Sequence, residues 1–428
     1  MPSYRKPQST AHSIMAETCL SYLNSQQVKV LSTSPSPDPL STPFLEYSSV
    51  YWGVHAKRDL SDCAKLLALR LFDDCYNQIP TKILLEAQEY YSHTIDSSKL
   101  SLFSGLHYAS FFGIAEIAIG LVEVEGCGIN QEDCIGSTPL AWAACNGCAD
   151  VMEILLAQDD INPDKPGIYG QTPLCSAAQN GNEGVVQMLL GRADVNPDEP
   201  DGDGQTPLCC AAQDGREGVV KMLLRRDGVS PDKPDNHGQT PLCCAAQNGH
   251  EGVVKILLGQ DNISPNKPDN DGQTPLSCAA WGGHEGVVKM LLGRDDIHPN
   301  KPDNYGQTPL SCAAWGGHEG VVKILLGRDD VSPDEPDNGG KTPLSYAAQN
   351  GRDGVVKRLL ERDDVNPEKP DIDGQTPLCC AAWNGHEEVI KILLGRDDVD
   401  PDKPDNHGQT PLRCAAWNGH EGAVKALL

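Results

Sequence analysis

From residue 104 onward, apolar and polar positions follow one template that resets every 34 residues. The stretch from Asp269 to Pro302 shows it. Asp269-Asn270-Asp271-Gly272 is turn chemistry, because Gly reaches positive φ at no steric cost and Asn and Asp tolerate the left-handed region. Thr274 is placed to cap a helix with its hydroxyl, and Pro275 suits the first helical position, where no N–H is needed. Leu276, Ala279 and Ala280 then give a short helix with one tightly packable apolar side. Gly282-Gly283-His284 breaks it. A second helix is predicted from about Glu285, with Val287, Val288, Met290, Leu291 and Leu292 as a broad apolar stripe. Pro299 and Pro302 fall in the following loop, which cannot continue the helix.

The capping threonines are Thr138, Thr172, Thr206, Thr240, Thr274, Thr308, Thr342, Thr376 and Thr410, and one step back lies a degenerate copy at Ser104-Gly105-Leu106-His107-Tyr108-Ala109. About ten modules in strict phase predict an all-α solenoid in which each module packs mainly on its neighbours. A period of 34 is also that of tetratricopeptide repeats, which join their helices by short turns. Here roughly a dozen residues rich in Pro, Asp, Asn and Gly separate one module's second helix from the next module's first. The unit Gly-Gln-Thr-Pro-Leu-x-x-Ala-Ala-x-x-Gly-His-Glu-x-Val-Val-Lys-x-Leu-Leu instead resembles the ankyrin repeat, over residues 104–428. Two departures stand out. The period is one residue longer than that family's usual 33. The His that usually follows Thr-Pro-Leu is replaced by Ala141, Cys175, Cys209, Cys243, Ser277, Ser311, Ser345, Cys379 and Arg413, so a hydrogen-bonding side chain is expected to be lost there.

The resemblance implies a non-enzymatic interaction module that holds a protein on a concave face. Three residues before each Thr run Ile135, Tyr169, Asp203, His237, Asp271, Tyr305, Gly339, Asp373 and His407. Seven residues after each Thr run Cys145, Gln179, Gln213, Gln247, Trp281, Trp315, Gln349, Trp383 and Trp417. In ankyrin proteins these two places, the tip of the finger-like turn and the open side of the first helix, line the groove. The implied partner-binding set is Tyr169, Gln179, His237, Gln247, Trp281, Tyr305, Trp315, Trp383, His407 and Trp417. A Trp column is either a row of binding anchors or a shield packed over neighbouring helices, and both readings stand at this point.

Charge narrows the partner. Lys and Arg number 34 against 60 Asp and Glu, a net charge of −26, of which the first hundred residues carry −1 (9 basic, 10 acidic). Phosphate backbones and anionic membranes are repelled by such a surface. The acidity serves either solubility or attraction of a basic protein partner. The 17 cysteines fall mostly in first helices. Equivalent positions on stacked helices lie roughly 8–10 Å apart, too far for bridges that want Cα atoms within about 7 Å. They are expected to be small buried hydrophobes. Neither a leader pattern nor an apolar run near 18 residues is present, which points to a reducing compartment, the cytoplasm or the nucleus.

Residues 1–99 obey different rules. Helices are predicted over 11–24, 44–57, 61–74 and 80–91, with a Ser/Pro linker near 32–43. Ala11-His12-Ser13 through Tyr22-Leu23-Asn24, with Phe44-Leu45-Glu46-Tyr47 and Tyr51-Trp52-Gly53-Val54-His55-Ala56, resemble the segment that joins the NACHT-type NTPase to the ankyrin array in fungal NLR-like receptors. That resemblance implies the sensor end of such a receptor. It carries over no nucleotide chemistry, since Gly-x-x-x-x-Gly-Lys-[Ser/Thr] is absent. The first array module contains Phe103, Phe111, Phe112, Ile114, Ile117 and Ile119, too apolar for a solvent-facing end, so residues 1–99 are expected to dock on it.

Other chemistry is weak. Glu199-x-Asp201-x-Asp203-Gly204 imitates the start of a calcium loop, but Cys210 stands where a bidentate Glu is needed. Cys145-Asn146-Gly147-Cys148 lacks a second ligand pair for zinc. His250, His284, His318, His386 and His420 recur at one turn and are expected to bond within it. No cofactor, metal or catalytic residue is expected.

Overall fold

The computed structural model describes residues 10–25, 28, 43–73, 78–87, 102–124 and 127–428, and among these every regular element is a helix. The linker near 32–43 falls almost wholly outside the described residues, as does the end of the helix expected over 80–91. Two compact units are present: residues 1–211 with 221–229, and residues 212–220 with 230–428.

In the first unit, helices Ala11–Leu23, Pro43–Arg58, Asp62–Asp73 and Gln78–Ala87 precede the repeats. Burial drives their association: Ala16, Leu20, Trp52, Ala64, Ala68 and Leu84 are removed from solvent. The Trp52 ring lies 5.1 Å from Phe112 and 6.0 Å from Tyr108, and Phe72 stacks on Tyr108 at 5.2 Å. Thr81 Oγ1 and Tyr108 OH share a 2.7 Å hydrogen bond that satisfies the buried phenol. Modules follow as helix pairs Gly105–Phe112 and Ala115–Val122, Pro139–Cys145 and Ala149–Leu156, Pro173–Asn180 and Glu183–Leu190.

The second unit repeats the same pair, as in Pro275–Gly282 with Glu285–Leu292 and Pro309–Gly316 with Glu319–Leu326. Thr274 accepts the Ser277 N–H at 3.2 Å and Thr308 accepts the Ser311 N–H at 3.2 Å, caps of the kind that stabilise a helix by about 1 kcal/mol each. Ala279, Ala280, Val287, Val288 and Leu291 are fully buried. Small Ala pairs let first helices approach closely, and the Val and Leu stripes of the second helices fill the layer behind them.

Two expectations change. The hydrogen bond of the usual His survives in weakened form. In the degenerate first module His107 Nε2 meets Gln131 O and Ser137 O, each at 3.1 Å. Two modules later in phase, the Cys175 thiol donates to the equivalent carbonyls, Glu199 O at 3.5 Å and Gln205 O at 3.7 Å. Cys243 and Cys379 reach Lys267 O and Lys403 O at 3.7 and 3.8 Å. A thiol is a small hydrophobe with a weak donor, so it keeps the contact at lower strength. The recurring His, in turn, does not bond inside its own turn. His284 Nε2 meets Gln247 O at 2.9 Å, His318 meets Trp281 O at 2.8 Å and His386 meets Gln349 O at 2.9 Å, so each ring caps the first helix of the module before.

Candidate functional site

In the second unit the face made by the fingers and first helices starts from one carboxylate per finger. Asp303 Oδ1 accepts the Tyr305 N–H at 2.9 Å and the Gln307 N–H at 2.8 Å, and Asp235, Asp269, Asp337, Asp371 and Asp405 do the same in their own fingers. Short side-chain bonds of this type hold a hairpin turn without a strand partner. Burial raises the carboxyls of Asp269 and Asp303, helped at Asp303 by the neighbouring Asp271 and Asp337 charges and opposed by the two N–H bonds.

Successive fingers are tied by a ladder. Asn304 N donates to Asp271 O and Asn338 N to Tyr305 O, both at 2.9 Å. Their side-chain amides extend it, Asn304 Nδ2 to Asn270 O and Asn338 Nδ2 to Asn304 O, again at 2.9 Å. Behind the fingers, outer loops engage a recurring arginine. Arg328 Nη1 caps the preceding module's second helix through Leu292 O at 2.9 Å while its Nε and Nη2 grip Asp330 at 2.8 Å. Arg294, Arg362 and Arg396 repeat the arrangement.

The residue seven after Thr decides the character of the face. Where it is Gln, an amide closes onto the base of the finger: Gln171 Nε2 to Gln179 Oε1 at 3.0 Å in the first unit, Gln239 Nε2 to Gln247 Oε1 at 3.2 Å in the second. Where it is Trp, no acceptor exists for that bond. Trp281 and Trp315 turn to each other instead, ring centroids 4.4 Å apart and 18° from parallel, each still 40% exposed. Tyr305, from the finger of the Trp315 module, is 61% exposed. Trp383 and Trp417 are exposed too, and among the described residues no ring contact joins them. His237 and His407 project from their finger tips into solvent. Tyr169 lies in the first unit on the turn Ile168–Gly170, at φ 56, a left-handed conformation costing an ordinary residue roughly 1 kcal/mol or more.

One cluster escaped the reading of the two columns. In the module beginning at Thr342, Tyr346 donates to Asp337 Oδ2 and accepts from Gln307 Nε2 at 2.8 Å, and Lys341 Nζ donates to Gln349 Oε1 at 2.7 Å. Burial and the Asp337 charge push the Tyr346 phenol well above the ordinary tyrosine range. The signal was present as Lys in a series of Gln, and as Tyr in a series of Cys. A cavity of about 140 Å³ opens there, lined by Lys341, Gln349, Gln375, Cys380, Trp383 and Asn384.

Among the described residues, no set of three His, Cys, Asp or Glu converges as metal ligands, and no helix is long and apolar enough to cross a membrane. A comparison with curated proteins finds no match. A protein-family model described as Ankyrin repeats (3 copies) matches residues 106–201, 192–269, 230–303, 261–337, 297–371 and 344–428 in overlapping blocks. The likeness of residues 11–24 and 44–56 to the NLR-like linker rests on those residues alone, outside the match. The matched blocks together span well over half of the chain and coincide with the capped helix pairs: this protein belongs to the ankyrin-repeat family and is a protein–protein interaction module.

Proposed function

We propose that this protein captures a protein segment on the concave face formed by its fingers and first helices, without catalysing a reaction on it. The observation that carries the reading is the Trp281–Trp315 pair: two stacked indoles left 40% exposed, with Tyr305 exposed on the finger of the Trp315 module. Aromatic anchors of this kind supply large contact area at low entropic cost. The net charge of −26 favours a segment with net positive charge, whose encounter it accelerates at low salt, and disfavours nucleic acid and anionic membrane. The contacts of Trp52 and Phe72 with Tyr108 and Phe112 support a capping role for the N-terminal helices over the first module. Free thiols buried in the first helices suit the cytoplasm or nucleus.

The test is selection of a random-peptide display library on the full chain and on the Trp281→Ala/Trp315→Ala variant. Peptides selected by the native chain should lose binding to the variant by more than tenfold. Stacking adds only about 0.5–1.5 kcal/mol to the fold beyond burial, and the melting temperature shifts roughly 2–4 °C per kcal/mol, so it should fall by only a few degrees. A large loss of stability with binding intact would make the indoles a shield, and the reading would fail.

A further inference from the structure

The finger bases of the second unit carry Gln239, Gln273, Gln307, Lys341, Gln375 and Gln409, so Lys341 is the one ionised residue in the series. Its ammonium donates a single hydrogen bond, to Gln349 Oε1 at 2.7 Å, and makes no ion pair among the described residues. Three loop cations of this unit, by contrast, are ion-paired: Lys369 to Asp334 at 3.4 Å, Lys403 to Glu368 at 3.2 Å and Arg328 to Asp330 at 2.8 Å. Lys341 borders the cavity of about 140 Å³, whose other lining residues are Gln349, Gln375, Cys380, Trp383 and Asn384. Burial pushes the Cys380 thiol up to about 12, so it adds no charge. The nearby Asp371 is buried, and its Oδ1 is taken by the Asp373 and Gln375 N–H groups at 3.0 and 2.9 Å. The overhanging finger is Asn338-Gly339-Gly340, with no side chain at its tip.

We infer that this cavity is a subsite for a carboxylate, the side chain of an Asp or Glu within the segment that rests on Trp281 and Trp315. The inference deepens the function proposed above and rests on it. The ammonium has two hydrogens to spare, and primary amides and an indole N–H can add donors beside it, although Asn384 Nδ2 already gives one hydrogen to Cys380 O at 3.0 Å; donors of this kind are what an anionic oxygen pair requires. One cation in a chain of net charge −26 suits a monoanion and not a phosphate dianion. The subsite therefore sets register within an otherwise basic segment, a use of charge for specificity more than affinity. First helices of neighbouring modules stack roughly 8–10 Å apart, so Trp315 and Trp383, two modules apart, are about 16–20 Å from each other. An extended segment covers that distance in about five or six residues.

The experiment is the same library selected in parallel on the native chain, Lys341→Gln and Lys341→Glu, with Trp281→Ala/Trp315→Ala as reference. Lys341→Gln installs the residue found in the other five fingers, so folding is retained. The native chain should enrich Asp or Glu at one position about five or six residues from an aromatic or basic one. Lys341→Gln should lose that enrichment and bind the selected peptides roughly tenfold more weakly, and Lys341→Glu should enrich Lys or Arg instead. Adding Gln375→Lys to Lys341→Gln should move the acidic position by about three residues. Identical motifs on all Lys341 variants, with dependence on the indole pair retained, would overturn the subsite and leave the proposed function standing. Binders indifferent to the indole pair, or no binders at all, would overturn both.

Discussion

Gly306 and Gly136 occupy the same finger position at the same backbone angle, φ 84, yet meet different surroundings, which isolates what the finger ladder contributes. Replacing either by Ala forces a Cβ into the left-handed region at about 1–2 kcal/mol, and the loss of unfolded-state freedom returns about 0.4–1 kcal/mol. At Gly136 a Cβ would have nothing within 4 Å, so Gly136→Ala should cost about 1 kcal/mol or less. At Gly306 it would sit 2.6 Å from Asn338 N and 2.7 Å from Asn338 Oδ1, distances that require the next finger to move. That movement breaks the 2.9 Å bonds from Asn338 N to Tyr305 O and from Asn338 Nδ2 to Asn304 O. At about 0.5–1.5 kcal/mol each they add about 1–3 kcal/mol, for a total near 2–4 kcal/mol. Urea unfolding followed by circular dichroism should rank Gly306→Ala well below Gly136→Ala. Native-state exchange of the Asn338 amide should accelerate by roughly ten- to a hundredfold in Gly306→Ala alone. Equal costs for the two substitutions would refute the reasoning, leaving backbone angle as the only demand on these glycines.

The remaining predictions concern protons and thiols. Burial holds His107 neutral by lowering its pKa against the weaker raising influence of Asp133 and the carbonyls it meets. The unfolded chain therefore takes up the proton first, and the first unit should lose stability as pH falls below about 6.5. Urea midpoints between pH 7.5 and 5 should slope downward, and His107→Gln should flatten the slope, leaving the smaller share of His55, which is lowered in the same direction. For the thiols, a small maleimide at neutral pH should label exposed Cys63 ahead of Cys312 and Cys380, both buried and pushed up to about 12. Mass spectrometry that finds these two modified in the folded protein at the rate of Cys63 would contradict their burial.

What residues dictate locally was legible without coordinates. The Thr-Pro start, the Ala-Ala face, the Gly-His break and the Val-Val…Leu-Leu stripe each act within one or two turns of chain, so the helix pair and its bounds follow from short-range sterics and capping. The repeat in phase made stacking the only way to bury those faces. Contacts across modules were not legible in the same way, because equivalent side chains 34 residues apart can pair straight across or on a diagonal. His318 looks like a turn residue in sequence, but its partner is the Trp281 carbonyl of the preceding module. Cys175 looks like a lost hydrogen bond until the carbonyls of the next finger come within reach. The Trp column was visible as a column, whereas only tertiary structure decided that Trp281 and Trp315 stack while Gln239 closes on Gln247, since that choice turns on which groups find an acceptor once the modules are nested.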